Sequence, residues 1–207
     1  MDILNDLQRD VLTEAFNLGM GNAAAALNEM VDEEVILSVP ELKFLTKAET
    51  AEAIAAQTTD SVSGVSQNFK GSFGGQAMLL FPGNKSLDLV RLLLKDTVPL
   101  DQLTEFEEEA LNEIGNIIIN GGLASLADMF GEEILSDLPV FVQGPSSDIL
   151  EGEGNNIGAT DVIMFLQVAF CLEKHSINGC IAILMDVKSI NDLKQRIDNH
   201  LSSLGII

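Results

Sequence analysis

Apolar residues recur at helical spacing over residues 3–30, and on a 100° wheel Leu4, Leu7, Val11, Ala15 and Leu18 share one face, which the pattern assigns to the core. Beside that stripe, Asp10, Glu14 and Asn17 fall within an arc of about 60°, with Gly21 on the same line, so one outward edge carries two carboxylates, an amide and bare backbone. The run VILSV, ending at Pro40, reads as a strand that proline terminates or holds at a sheet edge. Thr46-x-x-Glu49 is a capping box opening a helix to about Ala56. Two β-rich stretches, residues 60–71 and 76–82, joined by GSFGG, predict a hairpin, and a helix follows over residues 86–95.

The same order then returns. Pro99 and the residues before Thr104 mark a seam, and Thr104-x-x-Glu107 opens a helix to about Phe130 with Leu103, Ala110, Ile114, Ile117 and Ile118 on one face. Glu109, Glu113, Asn116 and Asn120 again collect within about 60°, displaced from the apolar face in the same rotational sense. The apolar ILSDLP, a Gly/Ser-rich loop over 144–156 with no strand or helix signal, a hairpin over 161–187 and a helix opened by Ser189-x-x-Asp192 complete the second half. That loop, the main departure from symmetry, is the expected place for disorder or partner contact.

Glu14, Asn17 and Pro40 each lie 99 positions before Glu113, Asn116 and Pro139, and 22 residues separate each asparagine from its proline. A Glu and an Asn three apart on one helix are ordinary solvated surface; a duplicated pair with a matched distant proline is not. The pattern predicts an α+β fold: a pseudo-twofold duplication with an antiparallel sheet, helices on one face, and long motif-bearing helices. The 207 residues form one domain of two homologous halves, 1–99 and 100–207.

Composition narrows the partners. With 11 Lys plus Arg against 32 Asp plus Glu, the net charge of −21 repels phosphate backbones and anionic lipid, and no Trp or Tyr offers a stacking platform, so nucleic acid and membrane are excluded as partners. The N-terminus carries no basic stretch followed by an apolar run, and the expected location is the cytoplasm. Cys171 and Cys180 flank a hairpin tip where one register would set them across from each other; reduced thiols packed as small hydrophobes are the expectation. Two histidines in no ligand-like spacing leave no metal site. Gly19-Met20-Gly21-Asn22-Ala23-Ala24 matches G-x-G-x-x-A, but helical pattern rather than a strand precedes it. Its glycines instead bend the helix or admit another backbone at close range, and no cofactor is expected.

A carboxylate beside a carboxamide is a limited kit. The amide donates and accepts at once and can hold a water in line for attack on phosphorus, while the carboxylate pairs with a cation. Such a kit serves a partner that already supplies the phosphoryl group, the metal and a lysine.

The doubled ExxN motif, its matched prolines and an acidic residue four before each Glu resemble the CheC/CheX/FliY family of bacterial and archaeal chemotaxis phosphatases, which dephosphorylate the response regulator CheY. EAFNLGMGNAAAAL and EIGNIIINGG carry the likeness, and two intact copies fit the CheC type better than CheX, which has one. The resemblance implies that Asn17 and Asn116 enter the regulator's active site and orient the attacking water. Glu14 and Glu113 pair with the regulator's active-site lysine, and Pro40 and Pro139 are structural. Asp10 fits the family's Asp/Ser position, whereas Glu109 is a longer acid than usual and singles out the second copy as the weaker one. Magnesium would be bound by CheY, and the receptor deamidase CheD is the second partner implied. The alternative is a non-catalytic module that sequesters phosphorylated CheY or regulates CheD. In either case Asn17 and Asn116 are expected to face outward, so that replacing them leaves the fold nearly intact.

Overall fold

The computed structural model describes residues 3–31, 34–56, 61–83, 85–93, 103–151, 162–172 and 175–206. The seam at Pro99 and residues 152–156 of the Gly/Ser-rich loop lie outside them. Helix α1 spans Asp6–Val31. Its start is a reciprocal cap missed in the sequence: the Asn5 N–H donates to Gln8 Oε1 and the Gln8 N–H to Asn5 Oδ1, both at 2.9 Å. Strand β1 (Val35–Thr46), helix α2 (Lys47–Ala55), the hairpin β2 (Val62–Lys70) and β3 (Gly75–Pro82), and helix α3 (Lys85–Leu93) complete the first half. The second half contributes α4 (Leu103–Phe130), β4 (Leu135–Ser136), β5 (Val140–Gly144), α5 (Ser146–Glu151), the hairpin β6 (Val162–Leu172) and β7 (His175–Met185), and α6 (Val187–Ser203).

Seven antiparallel strands form one sheet in the order β1-β6-β7-β3-β2-β4, with β5 also on β2. The halves are interlocked: β1 pairs with the second half's β6, and β4 and β5 pair with the first half's β2. Neither half satisfies its own hairpin edge, so each needs the other's first strand to complete the ladder.

Helices cover both faces, not one. A larger core gathers Leu12, Phe16 and Met20 of α1, Leu111, Ile118 and Leu126 of α4, and Leu193 and Ile197 of α6. On the opposite face Ile54 of α2 and Ile149 and Leu150 of α5 cover Met78, Leu80, Phe165 and Leu184. Helix α5 therefore stands where the loop sequence carried no helix signal; six residues are too few to show a period, and Ile149 and Leu150 are held by the sheet beneath them.

Local chemistry sets several boundaries. The Thr46–Glu49 box is formed in both directions, and the backbone N–H and hydroxyl of Thr46 hold the Glu49 carboxyl below its usual range. The last helix starts three residues before the expected Ser189 box. Asp186 is its cap, accepting from the Ser189 N–H at 2.6 Å, and that bond lowers its pKa. The helix α4 already begins at Leu103, so Thr104 lies inside its first turn, and Glu107 accepts from the buried Ser86 hydroxyl at 2.6 Å. Cys171 lies opposite Ser176 and Cys180 opposite Gln167, so the thiols do not face each other; neither is in a disulfide, and burial pushes Cys180 up to about 12.

The buried face of α1 is rotated from the one read in the sequence. Leu4 and Ala15 are buried, but Val11 is half-exposed, and Leu7 and Leu18 are 38% and 60% exposed. Leu12, Phe16, Met20 and Leu27 enter the core in their place. The cause is α4, which packs against the glycine side. A Cβ on Gly19 would lie 2.5 Å from the Gly121 carbonyl oxygen, and one on Gly121 would lie 2.8 Å from that of Gly19. Phe16 sits over Gly122, and the Ser125 hydroxyl donates to the Ala15 carbonyl at 2.6 Å. These contacts set the two long helices antiparallel and nearly backbone to backbone, while α1 itself continues unbroken through the glycines.

The crossing and a nearby glycine make opposite predictions. Gly19→Ala inserts a methyl against backbone and should destabilise by about 1–3 kcal/mol or more. Gly21→Ala, at an exposed position with nothing within 4 Å, should be neutral or gain up to about 1 kcal/mol of helix propensity. Urea unfolding of the two variants beside wild type measures both; equal midpoints would contradict the tight crossing.

Candidate functional site

The acidic stripes are on the surface. Asp10, Glu14 and Gly21 on α1 are exposed and Asn17 is half-buried; on α4, Glu109 and Glu113 are exposed and Asn116 and Asn120 half-buried. Asn17 precedes Gly19 and Asn116 precedes Gly121 on antiparallel helices, so the motifs lie on opposite sides of the crossing. They form two separate sites, not one.

At the first, the asparagine reaches the sheet. The Val39 N–H donates to Asn17 Oδ1 at 2.9 Å, and Asn17 Nδ2 donates to the Val39 carbonyl at a long 3.5 Å. Strand β1 does not stop at Pro40. Its pairing with β6 skips from Ser38 to Glu41, leaving Val39 and Pro40 as a bulge on an edge strand. Proline has no N–H for the ladder, and the Asn17 amide supplies what the bulged backbone loses. The interval between asparagine and proline thus has a local cause: the helix and the strand meet where the ladder breaks. Beside Glu14, a cleft of about 510 Å³ is lined by Val11, Leu18, Asp128, Met129 and His200.

The second copy meets the same break differently. The counterpart of β1 is interrupted outright at residues 137–139, between β4 and β5. Here Leu138 turns out to solvent, 84% exposed, where Val39 of the first copy is 2% exposed. The interruption is bridged from β2: the Asp137 N–H donates to the Asn68 carbonyl at 2.8 Å, and Gln67 Nε2 donates to the Asp137 carbonyl at 2.6 Å. Asn116 does not bond to the proline segment. Its Oδ1 accepts from Asn120 Nδ2 at 2.7 Å and, at a long 3.4 Å, from Gln67. Its Nδ2 has no hydrogen-bond partner among the described residues. Asn116 and Glu113 line a cleft of about 500 Å³ with Glu109, Asn112, Leu138 and Pro139.

Both asparagines are therefore half-buried and engaged, a correction to the outward side chains that periodicity implied. Gln67, Ser136 and the Val39 backbone were missed, because no spacing along the chain relates a helix face to a bulge on a distant strand. Leu18 was assigned to the core for the same reason; it sits beside Asn17, and the exposed Leu138 beside Asn116, apolar neighbours of both motifs.

No protein-family model matches the chain. It is 25% identical over 145 residues, 67% of this chain and 69% of the other, to the CheY-P phosphatase CheC of Bacillus subtilis (strain 168). Among solved structures, Thermotoga maritima FliY superposes with a TM-score of 0.74 at 15% identity, covering 95% of this chain and 98% of that one. The FliM middle domain from H. pylori gives 0.64 at 12% identity, covering 93% and 99%. The fold is that of the CheC/CheX/FliY-type chemotaxis proteins. Within that class the chain is similar in sequence to CheC, as the two ExxN copies led one to expect.

Removing Asn17 should cost stability. Asn17→Ala leaves the buried Val39 N–H without its acceptor, at about 1–3 kcal/mol, whereas Asn116→Ala frees the half-buried Asn120 amide and removes one long contact of Gln67, which keeps its bond to Asp137, at no more than about 1 kcal/mol. Thermal or urea melts of the two variants check the order, and a smaller loss for Asn17→Ala would contradict the bulge-filling role.

Proposed function

We propose that this chain is a phosphatase that hydrolyses the aspartyl phosphate of the chemotaxis response regulator CheY, acting in the cytoplasm. The observation that carries the reading is the duplicated stripe: on each of two long helices, an exposed glutamate lies one turn from a half-buried asparagine beside an exposed leucine. Similarity to a protein named as a CheY-P phosphatase supports it.

In this mechanism Asn17 or Asn116 enters the regulator's pocket and holds a water in line with phosphorus. The water oxygen forms the new P–O bond, the bond between phosphorus and the aspartyl oxygen breaks, and the two protons of the water leave on the released phosphate. The regulator is left with its free carboxylate. Glu14 and Glu113 pair with the regulator's lysine, and Asp10 and Glu109 flank them. The regulator's own magnesium supplies charge neutralisation, so the chain contributes positioning alone. Docking cannot rely on long-range attraction at a net charge of −21 against an acidic pocket. Leu18 and Leu138 offer short-range apolar contact beside each motif.

Geometry separates the two sites. The Asn116 Nδ2 has no partner among the described residues and can meet water, whereas Asn17 is tied through its Oδ1 to the Val39 N–H, with its Nδ2 turned to the Val39 carbonyl at a long 3.5 Å. The second copy is thus the better-prepared site, against the weakness assigned to it on account of Glu109. The committed Asn17 also favours a second reading for the first motif, namely binding without turnover. In that role it would sequester phosphorylated CheY or serve a partner such as CheD.

Phosphate release from phosphorylated CheY, measured below the melting range of each variant, tests the mechanism. Asn116→Ala should show the larger single loss, and the double Asn17→Ala, Asn116→Ala variant should fall to the regulator's own rate, since losing one orienting group costs on the order of 10²-fold. Glu14→Ala and Glu113→Ala should weaken binding to a stable phosphoryl mimic more than they slow turnover. Full activity in the double variant rejects hydrolysis by these residues and leaves the binding module.

A further inference from the structure

We propose that Asn120 is a positioning residue for the second motif, setting which end of the Asn116 amide faces the cleft; the inference rests on the phosphatase reading above. A carboxamide can present either its N–H or its carbonyl, and the two do opposite things to a water molecule. Around Asn116 the choice is settled from one end. A backbone carbonyl only accepts, so the nitrogen of Gln67, not its oxygen, must face Asp137 at 2.6 Å. The same nitrogen lies a long 3.4 Å from both Asn116 Oδ1 and Asn120 Oδ1, and its second N–H, pointing between them, favours oxygens at both sites. With its oxygen turned to Gln67, and also accepting from the Ser136 hydroxyl at 2.7 Å, Asn120 has its nitrogen left to donate to Asn116 Oδ1 at 2.7 Å. Asn116 is thereby held by its oxygen, and its Nδ2 becomes the group presented to the cleft.

Two further observations support a dedicated network. Gln67 is 2% exposed and leaves its Oε1 buried with no hydrogen-bond partner among the described residues, an unfavourable arrangement that keeps its donors directed at Asp137, Asn116 and Asn120. The first copy has no equivalent. Four residues after Asn17 stands Gly21, without a side chain, and the core-facing positions of β6, the strand paired with β1, include the buried Leu166 and Val168. There the amide is oriented by the Val39 backbone instead. Asn120 lies one turn beyond the ExxN motif and is half-buried behind Asn116, so it acts through that residue.

The informative substitution is Asn120→Asp. It is nearly isosteric and keeps the oxygens that accept from Ser136 and Gln67, but it exchanges the one donor for an acceptor. A carboxylate at 120 would attract the Asn116 Nδ2 and turn the carbonyl towards the cleft. The assay is phosphate release from phosphorylated CheY, below the melting range, by the full chain carrying Asn17→Ala, so that the second motif carries the turnover. Asn120→Asp should lower kcat about 10- to 100-fold, as loss of orientation does, with KM within about twofold. In an Asn116→Ala background the same change should have no further effect. If Asn120→Asp fails to fold, Asn120→Ala removes the same donor without a charge and should show the same split between kcat and KM. An unchanged kcat, or a rise in KM alone, overturns the positioning role while Asn116→Ala still abolishes release. Undiminished release with Asn17→Ala and Asn116→Ala combined would instead overturn the phosphatase reading itself.

Discussion

The near-contact of two helix backbones at Gly19 and Gly121 is the constraint on which the rest of the structure depends. Each glycine lies where a methyl group would meet the other's carbonyl oxygen, so α1 and α4 come closer than any larger side chain allows. That closeness turns the glycine side of each helix inward and the ExxN side outward. It also rotates α1 enough to move Leu18 out of the core and Phe16 into it, over Gly122. The acidic stripes are exposed because the small residues are buried.

The sheet ties the helices down through its two edges. Because β1 closes on the second half's hairpin and β4 and β5 on the first half's, the duplicated units cannot be parted without opening backbone pairs on both sides. Each edge strand carries a proline, which cannot donate to a ladder and so produces a bulge in one copy and a break in the other. The motif helix packs against that irregularity, and its asparagine lies close enough to interact with it. The proline is thus connected to the chemistry indirectly, through the polar groups its presence leaves unpaired.

The two copies resolve this requirement in different ways. In the first, Asn17 bonds the bulged Val39 and carries a structural load. In the second, Gln67 and Asn68 of β2 bridge the break, and Asn116 is held only by its oxygen. Relieving an asparagine of its ladder duty leaves its amide nitrogen available to solvent and to ligand. Differences at a few amide positions therefore leave one asparagine tied to the fold and one more open on the same scaffold.

By itself the sequence determined the order of the elements apart from α5 and the split of β4 from β5, the repeated pattern, the Thr46–Glu49 cap and the polar stripes, because each depends on neighbours within a few turns or on a repeat of identical spacing. The exposure of Asp10, Glu14, Glu109 and Glu113 was legible for that reason. Only the tertiary structure decided what depends on chain segments meeting from afar. The approach of α4 selected which face of α1 is buried, and helix α5 formed where the sheet held Ile149 and Leu150. The strand breaks at Val39 and Leu138 decided whether each asparagine bonds to backbone or to another amide. Those choices follow from unpaired N–H and C=O groups at particular points in the sheet, and the residues that satisfy them, Gln67 among them, lie many positions away in the chain.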